Sequence, residues 1–196
     1  MTDKQKERVR NKIAKIRKEL AADKKRWGGF HDDSRGLRYM PPELFVKLRD
    51  YKGGLRYLRW FDRTFPDDIG FPLFLFEWTL ILFKTGNLKE AEVKAYQTFH
   101  ANSYFLHKFL GIDVEGLFEI KSTHRNSREL ADDMIYSKDD PEFAEFRVWL
   151  DSLLKSEKFN KFASELTNID KKLETEPVGE KRSALVERRS TLIDEV

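Results

Sequence analysis

Residues 72–101, PLFLFEWTLILFKTGNLKEAEVKAYQTFHA, decide the fold. From Phe71 to Phe83 the chain is apolar on every side of a helix, apart from Glu77, and it ends at Lys84. The run is shorter than the about 20 residues needed to cross a bilayer. A helix with no polar face belongs inside a core, so the pattern predicts a buried helix over 72–85 stopped by Gly86. Asn87 and Glu90 then have capping-box spacing, which predicts a second helix to about His100. So short a turn folds the two helices into an antiparallel hairpin.

The same reading extends outward. Upstream, Pro41 and Pro42 suit the first turn of a helix. One helix is expected over about 42–50, a second over 53–65, and a turn at Pro66, Asp67, Asp68 and Gly70. Gly53-Gly54 reads as a turn, and His31, Asp32, Asp33, Ser34 and Gly36 mark a loop. Downstream, Tyr104 to Leu110 reads as a short helix closed by Gly111, and Asn126 with Glu129 repeats the capping-box spacing. Asp140-Pro141-Glu142 is a strong helix start. Phe143, Phe146, Trp149, Leu150, Leu153 and Leu154 trace one apolar face, and Phe159, Phe162, Leu166, Ile169 and Leu173 another. Pro177-Val178-Gly179 turns the chain into a last helix with few apolar residues. No segment alternates with period two, so the chain is read as all-α.

The first segment, to about Arg26, is a basic amphipathic helix with a Thr2–Gln5 capping-box spacing. Val9, Ile13, Ile16 and Leu20 form a narrow seam that needs a partner surface; the C-terminal helices of the same chain are one candidate. Three regions result: a basic N-terminal helix (1–29), a helical core (30–111), and a C-terminal helical region ending in a hairpin (112–196).

Two helix–turn–helix units stand side by side in the middle. Tyr51 and Leu88, at equivalent turns, are 37 residues apart, close to the 34-residue period of one helical-repeat class. Leu75, Trp78, Thr79 and Leu82, followed by Leu88, Ala91 and Ala95, and in the first unit Tyr51, Gly54, Leu58, Phe61 and Pro66, resemble the packing residues of tetratricopeptide repeats. Pro41 and Pro42 depart from that pattern, and no third unit follows Ser103. The resemblance covers about residues 40–105. It implies an α–α superhelix of antiparallel hairpins, followed here by a C-terminal bundle, and a groove that binds proteins or peptides. The lysine and asparagine that such a groove uses to clamp a peptide carboxylate are absent.

Among 196 residues there is no cysteine, so disulfides, thiolate metal sites and a cysteine nucleophile are excluded. The net charge is only +3, which is not that of a nucleic-acid polycation. The N-terminus lacks the pattern of a secretory signal, and a cytoplasmic chain with no membrane association is expected. No phosphate loop, serine elbow or paired-acid motif appears, so neither metal nor cofactor is expected. Arg35, Arg38, Tyr39, Arg56, Tyr57, Arg59, Trp60 and Arg63 combine the residue types favoured at binding hot spots and form the candidate partner surface. Lys4, Arg8, Lys12 and Lys15 form a candidate nucleic-acid row. Glu77 is expected either to pair with an arginine of the preceding hairpin or to lie exposed at a groove rim.

The function these features suggest is a non-catalytic protein–protein interaction module, an adaptor or assembly factor. The alternatives are an RNA- or ribosome-associated factor led by the basic helix, an enzyme with an unrecognised helical site joining Glu77, Asp68 or His31 to an arginine, and a self-associating homo-oligomer.

Overall fold

The computed structural model describes residues 1–29, 31, 35–113, 128–132 and 134–196. Among them there is no strand, and the fold is all-α. The helices are α1 (Asp3–Arg26), α2 (Pro41–Leu48), α3 (Tyr51–Thr64), α4 (Pro72–Lys84), α5 (Leu88–Ala101), α6 (Tyr104–Leu110), α7 (Arg128–Asp132), α8 (Ala144–Lys155), α9 (Glu157–Thr175) and α10 (Glu180–Thr191). Short 3-10 turns occupy Leu37–Tyr39, Pro141–Phe143 and Leu192–Glu195. Asn126 and the turn formers Asp32, Asp33 and Ser34 lie outside the described residues.

Helix α4 is the centre of the fold. Every residue from Phe74 to Leu82 is buried, because α2, α3, α5, α6 and α8 all pack on it. Each large side chain taken out of water there contributes about 1.5–3 kcal/mol. Helix α5 makes the most extensive contact with α4, and its facing residues are small: Ala91 and Ala95 are fully buried. Small residues let two helix axes approach closely. In the same interface the hydroxyls of Thr79 and Thr98 lie 3.4 Å apart. Each donates to the carbonyl four residues back in its own helix, Thr79 to Leu75 at 2.9 Å and Thr98 to Lys94 at 2.8 Å, so neither is left unpaired in the core.

The helix preceding this hairpin is set by backbone detail. Pro41 and Pro42 occupy the first turn of α2 and are buried. The chain leaves α2 through Arg49 at φ 57°, a left-handed conformation costly for a residue with a Cβ. Arg49 also reaches Glu142 at 3.2 Å. The expected turn at Gly53-Gly54 is instead the first turn of α3, capped by Asp50, which accepts the Gly53 N–H at 2.8 Å. A Cβ on Gly53 would meet the Asp50 carboxyl at 2.2 Å, and one on Gly54 would meet Ile81 at 2.9 Å. The glycines are there because helices α2, α3 and α4 come too close for a side chain.

The two ends of the chain fold back on this centre. Phe146 of α8 packs on Phe76, Phe83 and Phe109, while Phe159 and Phe162 of α9 pack on Tyr96 and Phe99. Glu142 accepts from the Tyr51 hydroxyl at 2.7 Å and pairs with Lys84 at 3.3 Å, tying the start of α8 to α3 and α4. Helix α10 has no buried residue and is held by ion pairs to α9, Arg188–Glu165 and Arg189–Asp170, both 2.6 Å. The seam of α1, through Ile13, Ile16 and Leu20, is buried against α2 and the Leu37–Tyr39 turn, not against the C-terminal helices. The Thr2–Gln5 capping box forms. The Asn87–Glu90 box does not: the Asn87 amide donates to the Thr85 hydroxyl at 2.9 Å and caps no backbone N–H.

The closeness of α4 and α5 gives a direct test. Ala95→Leu places three extra heavy atoms into a packed interface and is expected to destabilise the fold by about 1–3 kcal/mol. A urea midpoint unchanged from wild type would show that the interface has room the structure does not have.

Candidate functional site

The expected arginine–aromatic patch is divided by the fold between interior scaffolding and open surface. Arg38 pairs with Asp68 at 2.8 Å, lies over the Phe65 ring and donates to the Tyr39 hydroxyl at 3.1 Å. Tyr39 donates to Asp68 at 2.7 Å, and Asp68 also accepts the Gly70 N–H at 2.9 Å. Tyr57 is buried and donates to the Arg38 carbonyl at 2.6 Å. Trp60 is half-buried beside Tyr57 and Phe65. These four residues hold the segment before α2 onto α3. Arg59 joins α3 to α5 through Glu90 at 2.5 Å, and exposed Arg35 reaches Glu19 of α1 at 3.1 Å. Arg56 and Arg63 are exposed, with no ion pair among the described residues.

Arg56 stands on the rim of an open groove of about 330 Å³ between α1 and the α2–α3 corner. The groove floor is apolar: Ile13, Phe45, Leu48 and Tyr57. Arg10 and Arg17 of α1 complete the rim. Arg17 has no ion pair among the described residues, and Arg10 has only an exposed contact with Glu7 at 3.8 Å, a geometry worth little in water. Asp50 is the acidic group at the groove, and its carboxylate is engaged as the cap of α3. Arg10, Ala14 and Arg17 share one face of α1, which the sequence could show. That this face borders the groove opposite α3 follows from how α1 docks on α2, which the sequence did not show.

The row Lys4, Arg8, Lys12 and Lys15 is exposed along α1; Lys15 lies 4.0 Å from Glu19. Residues 1–29 hold eleven of the 37 Lys and Arg and four of the 34 Asp and Glu, so the rest of the chain is net acidic. A second hollow of about 460 Å³ lies between α5 and α9 over Phe99, Leu154 and Phe159. It is rimmed mainly by uncharged residues such as Asn160, Ser164 and Thr167. Glu77, Asp68 and His31 do not converge on one site. His31 packs on Phe65 and Trp60, Asp68 is joined to Arg38 and Tyr39, and neither hollow is lined by Glu77, Asp68 or His31.

Glu77 is neither at a rim nor paired with an arginine. It is buried, 2% exposed. Its carboxyl accepts from the Tyr136 hydroxyl at 2.8 Å, and the backbone N–H of Glu43 faces it. Pro41 and Pro42 have no N–H, and Met40 gives α2 no side-chain cap. Glu43 therefore holds the first N–H of α2 that needs a partner, and it lies toward the Glu77 carboxyl of the neighbouring helix. Burial outweighs these contacts and pushes the Glu77 pKa from its ordinary 4.5 up to about 8. The same burial, with Glu77 beside it, pushes the Tyr136 phenol up. No protein-family model, curated protein or solved structure matches the chain.

The elevated Glu77 pKa fixes a sign. Between pH 4.5 and about 8 the native chain binds one proton more than the unfolded chain, so stability falls as pH rises through that window. The penalty amounts to roughly 3–5 kcal/mol above the window. His100 and His107, both held low by burial, act in the opposite direction near their ordinary range. Comparison with Glu77→Gln isolates the carboxyl, since the amide oxygen still accepts the Tyr136 hydrogen bond. Urea titrations from pH 5 to 9 are expected to show the wild type losing stability relative to the variant; parallel curves would mean that Glu77 ionises normally.

Proposed function

We propose that the protein is a non-catalytic interaction module, an adaptor or assembly factor, that binds another protein in the groove between α1 and the α2–α3 corner. The observation that carries this reading is the groove itself: an apolar floor bordered by Arg10, Arg17 and Arg56, of which Arg10 alone has a carboxylate beside it among the described residues, the exposed Glu7 at 3.8 Å. Arginine around a water-excluding apolar patch is the composition of protein-binding hot spots. The order of the helices supports a repeat-type scaffold for it. Helix α2 neighbours α3 and α4, and α4 neighbours α5 and α6, as successive stacked hairpins do. Leu88 departs from the tetratricopeptide pattern, being 49% exposed where that resemblance implies a packing position.

The second reading, an RNA- or ribosome-associated factor, draws on one observation. The apolar seam of α1 is already covered by α2, which leaves the Lys4, Arg8, Lys12 and Lys15 row facing solvent on a fixed helix. Phosphate contacts of that kind are strongly salt-dependent.

Capture of partners from the native cell, with and without nuclease, separates the two. A protein partner that survives nuclease and is lost from the Arg10→Ala/Arg17→Ala/Arg56→Ala variant is the expected result. Capture that vanishes with nuclease, and with Lys4→Gln/Arg8→Gln/Lys12→Gln/Lys15→Gln but not with the groove variant, moves the function to the basic row.

A further inference from the structure

We propose that the groove between α1 and α3 takes an acidic peptide segment of another protein, which sets one apolar side chain on the floor and carboxylates against Arg10, Arg17 and Arg56. This rests on the reading of the protein as a binding module and names the chemistry of its partner. The charge balance at the groove is the first argument. Three guanidinium groups face it and one carboxylate, Asp50, which is held by the Gly53 N–H at 2.8 Å. Guanidinium forks match carboxylates in a planar, two-point geometry, and beside an apolar floor that pairing is screened less than in open water.

The spacing is the second argument. Arg10 and Arg17 lie two helical turns apart, about 10 Å along α1. An extended strand covers that distance in about three residues. An acidic residue, a short apolar-anchored interval and a second acidic residue therefore match the rim in register. Ala14 lies between the two arginines on the same face of α1 and is exposed, so the floor is open beneath that interval.

The floor argues against a nucleic-acid strand. Phe45 and Tyr57 are 8% and 4% exposed, so neither ring offers a face on which a base can stack. A carboxylate-bearing peptide needs no stacking platform and only one apolar contact.

The test measures fluorescence anisotropy of labelled probes with the full chain. The probes are a short peptide with glutamates flanking a single phenylalanine, the same peptide with alanine for the phenylalanine, the same with glutamines for the glutamates, and a single-stranded oligoribonucleotide. Binding of the first peptide is expected to weaken about tenfold when either the anchor or the acids are removed. Ala14→Trp keeps every charge and fills the floor, and Arg56→Glu reverses one rim charge while leaving the floor open. Each is expected to lower affinity about tenfold or more, with an unchanged thermal melt. If Ala14→Trp binds as wild type does, the attraction is surface charge alone and the groove is not the site. Equal binding of the glutamine peptide overturns the acidic requirement but leaves the module reading intact. Oligoribonucleotide binding in place of every peptide overturns both. Binding of no probe overturns the proposal, and the nuclease-resistant capture then decides the module reading separately. Concentration-dependent dimerisation abolished by Arg56→Glu would also overturn it, since the occupant would be a second copy of this chain.

Discussion

Nine consecutive buried residues on one helix, Phe74 to Leu82, impose a constraint that the remaining helices satisfy. A helix with no wet face must be surrounded, and a chain of this length surrounds it by folding both ways from the centre. Helices α2 and α3 cover it from the N-terminal side, α5 and α6 from the C-terminal side, and α8 closes the gap between them. The side chains that allow this are small where backbones cross and aromatic where space is left. Gly54, Ala91 and Ala95 let backbones approach, and Phe61, Phe74, Phe76 and Phe146 fill the volume between them. Close packing of this kind tolerates little change in volume, so the geometry of the outer helices is inherited from α4.

Glu77 shows how the same constraint places a carboxyl in the core. A helix beginning Pro41-Pro42 has two positions with no N–H to satisfy, and its first free donor, Glu43, points into α4. Glu77 stands there and takes a hydrogen bond from Tyr136, a residue contributed from far along the chain. The acid is thus a junction of three segments, and a largely neutral one at physiological pH. A neutral carboxyl can be buried at far lower cost than a charged one.

Local signals carried most of the architecture. The apolar run at 71–83 and the capping box at Thr2 depend on neighbours in sequence, and each gives the helix expected, while Asp140-Pro141 opens a 3-10 turn that leads into α8 at Ala144. What failed was what depends on contacts between distant segments. The Glu77 environment needed Tyr136 and the α2 N-terminus. Gly53 and Gly54 looked like a turn because their need is steric and set by Phe45, Asp50 and Ile81. The candidate patch was legible as a set of residue types, yet Arg38 and Arg59 are engaged with Asp68 and Glu90, partners that lie far off in sequence. Arg56 is exposed, and the arginines that join it at the groove, Arg10 and Arg17, stand on α1 outside the Lys4, Arg8, Lys12 and Lys15 row.

The docking of α1 links its two faces. Ile13, Ile16 and Leu20 are buried by α2 and the turn before it, and that burial fixes the rotation of the whole helix about its axis. A helix rotated so that this seam points inward must present Arg10, Ala14 and Arg17 to one flank and the Lys4, Arg8 and Lys12 row to solvent. The groove is therefore not an accident of surface side chains adopting one conformation. Its cationic rim is held by three apolar residues that the fold requires for another reason, so two of its three arginines stand on backbone positioned before any partner arrives. Preorganisation of this kind lowers the ordering cost of binding. It distinguishes the groove from the outward row of the same helix, whose side chains have no apolar floor beside them.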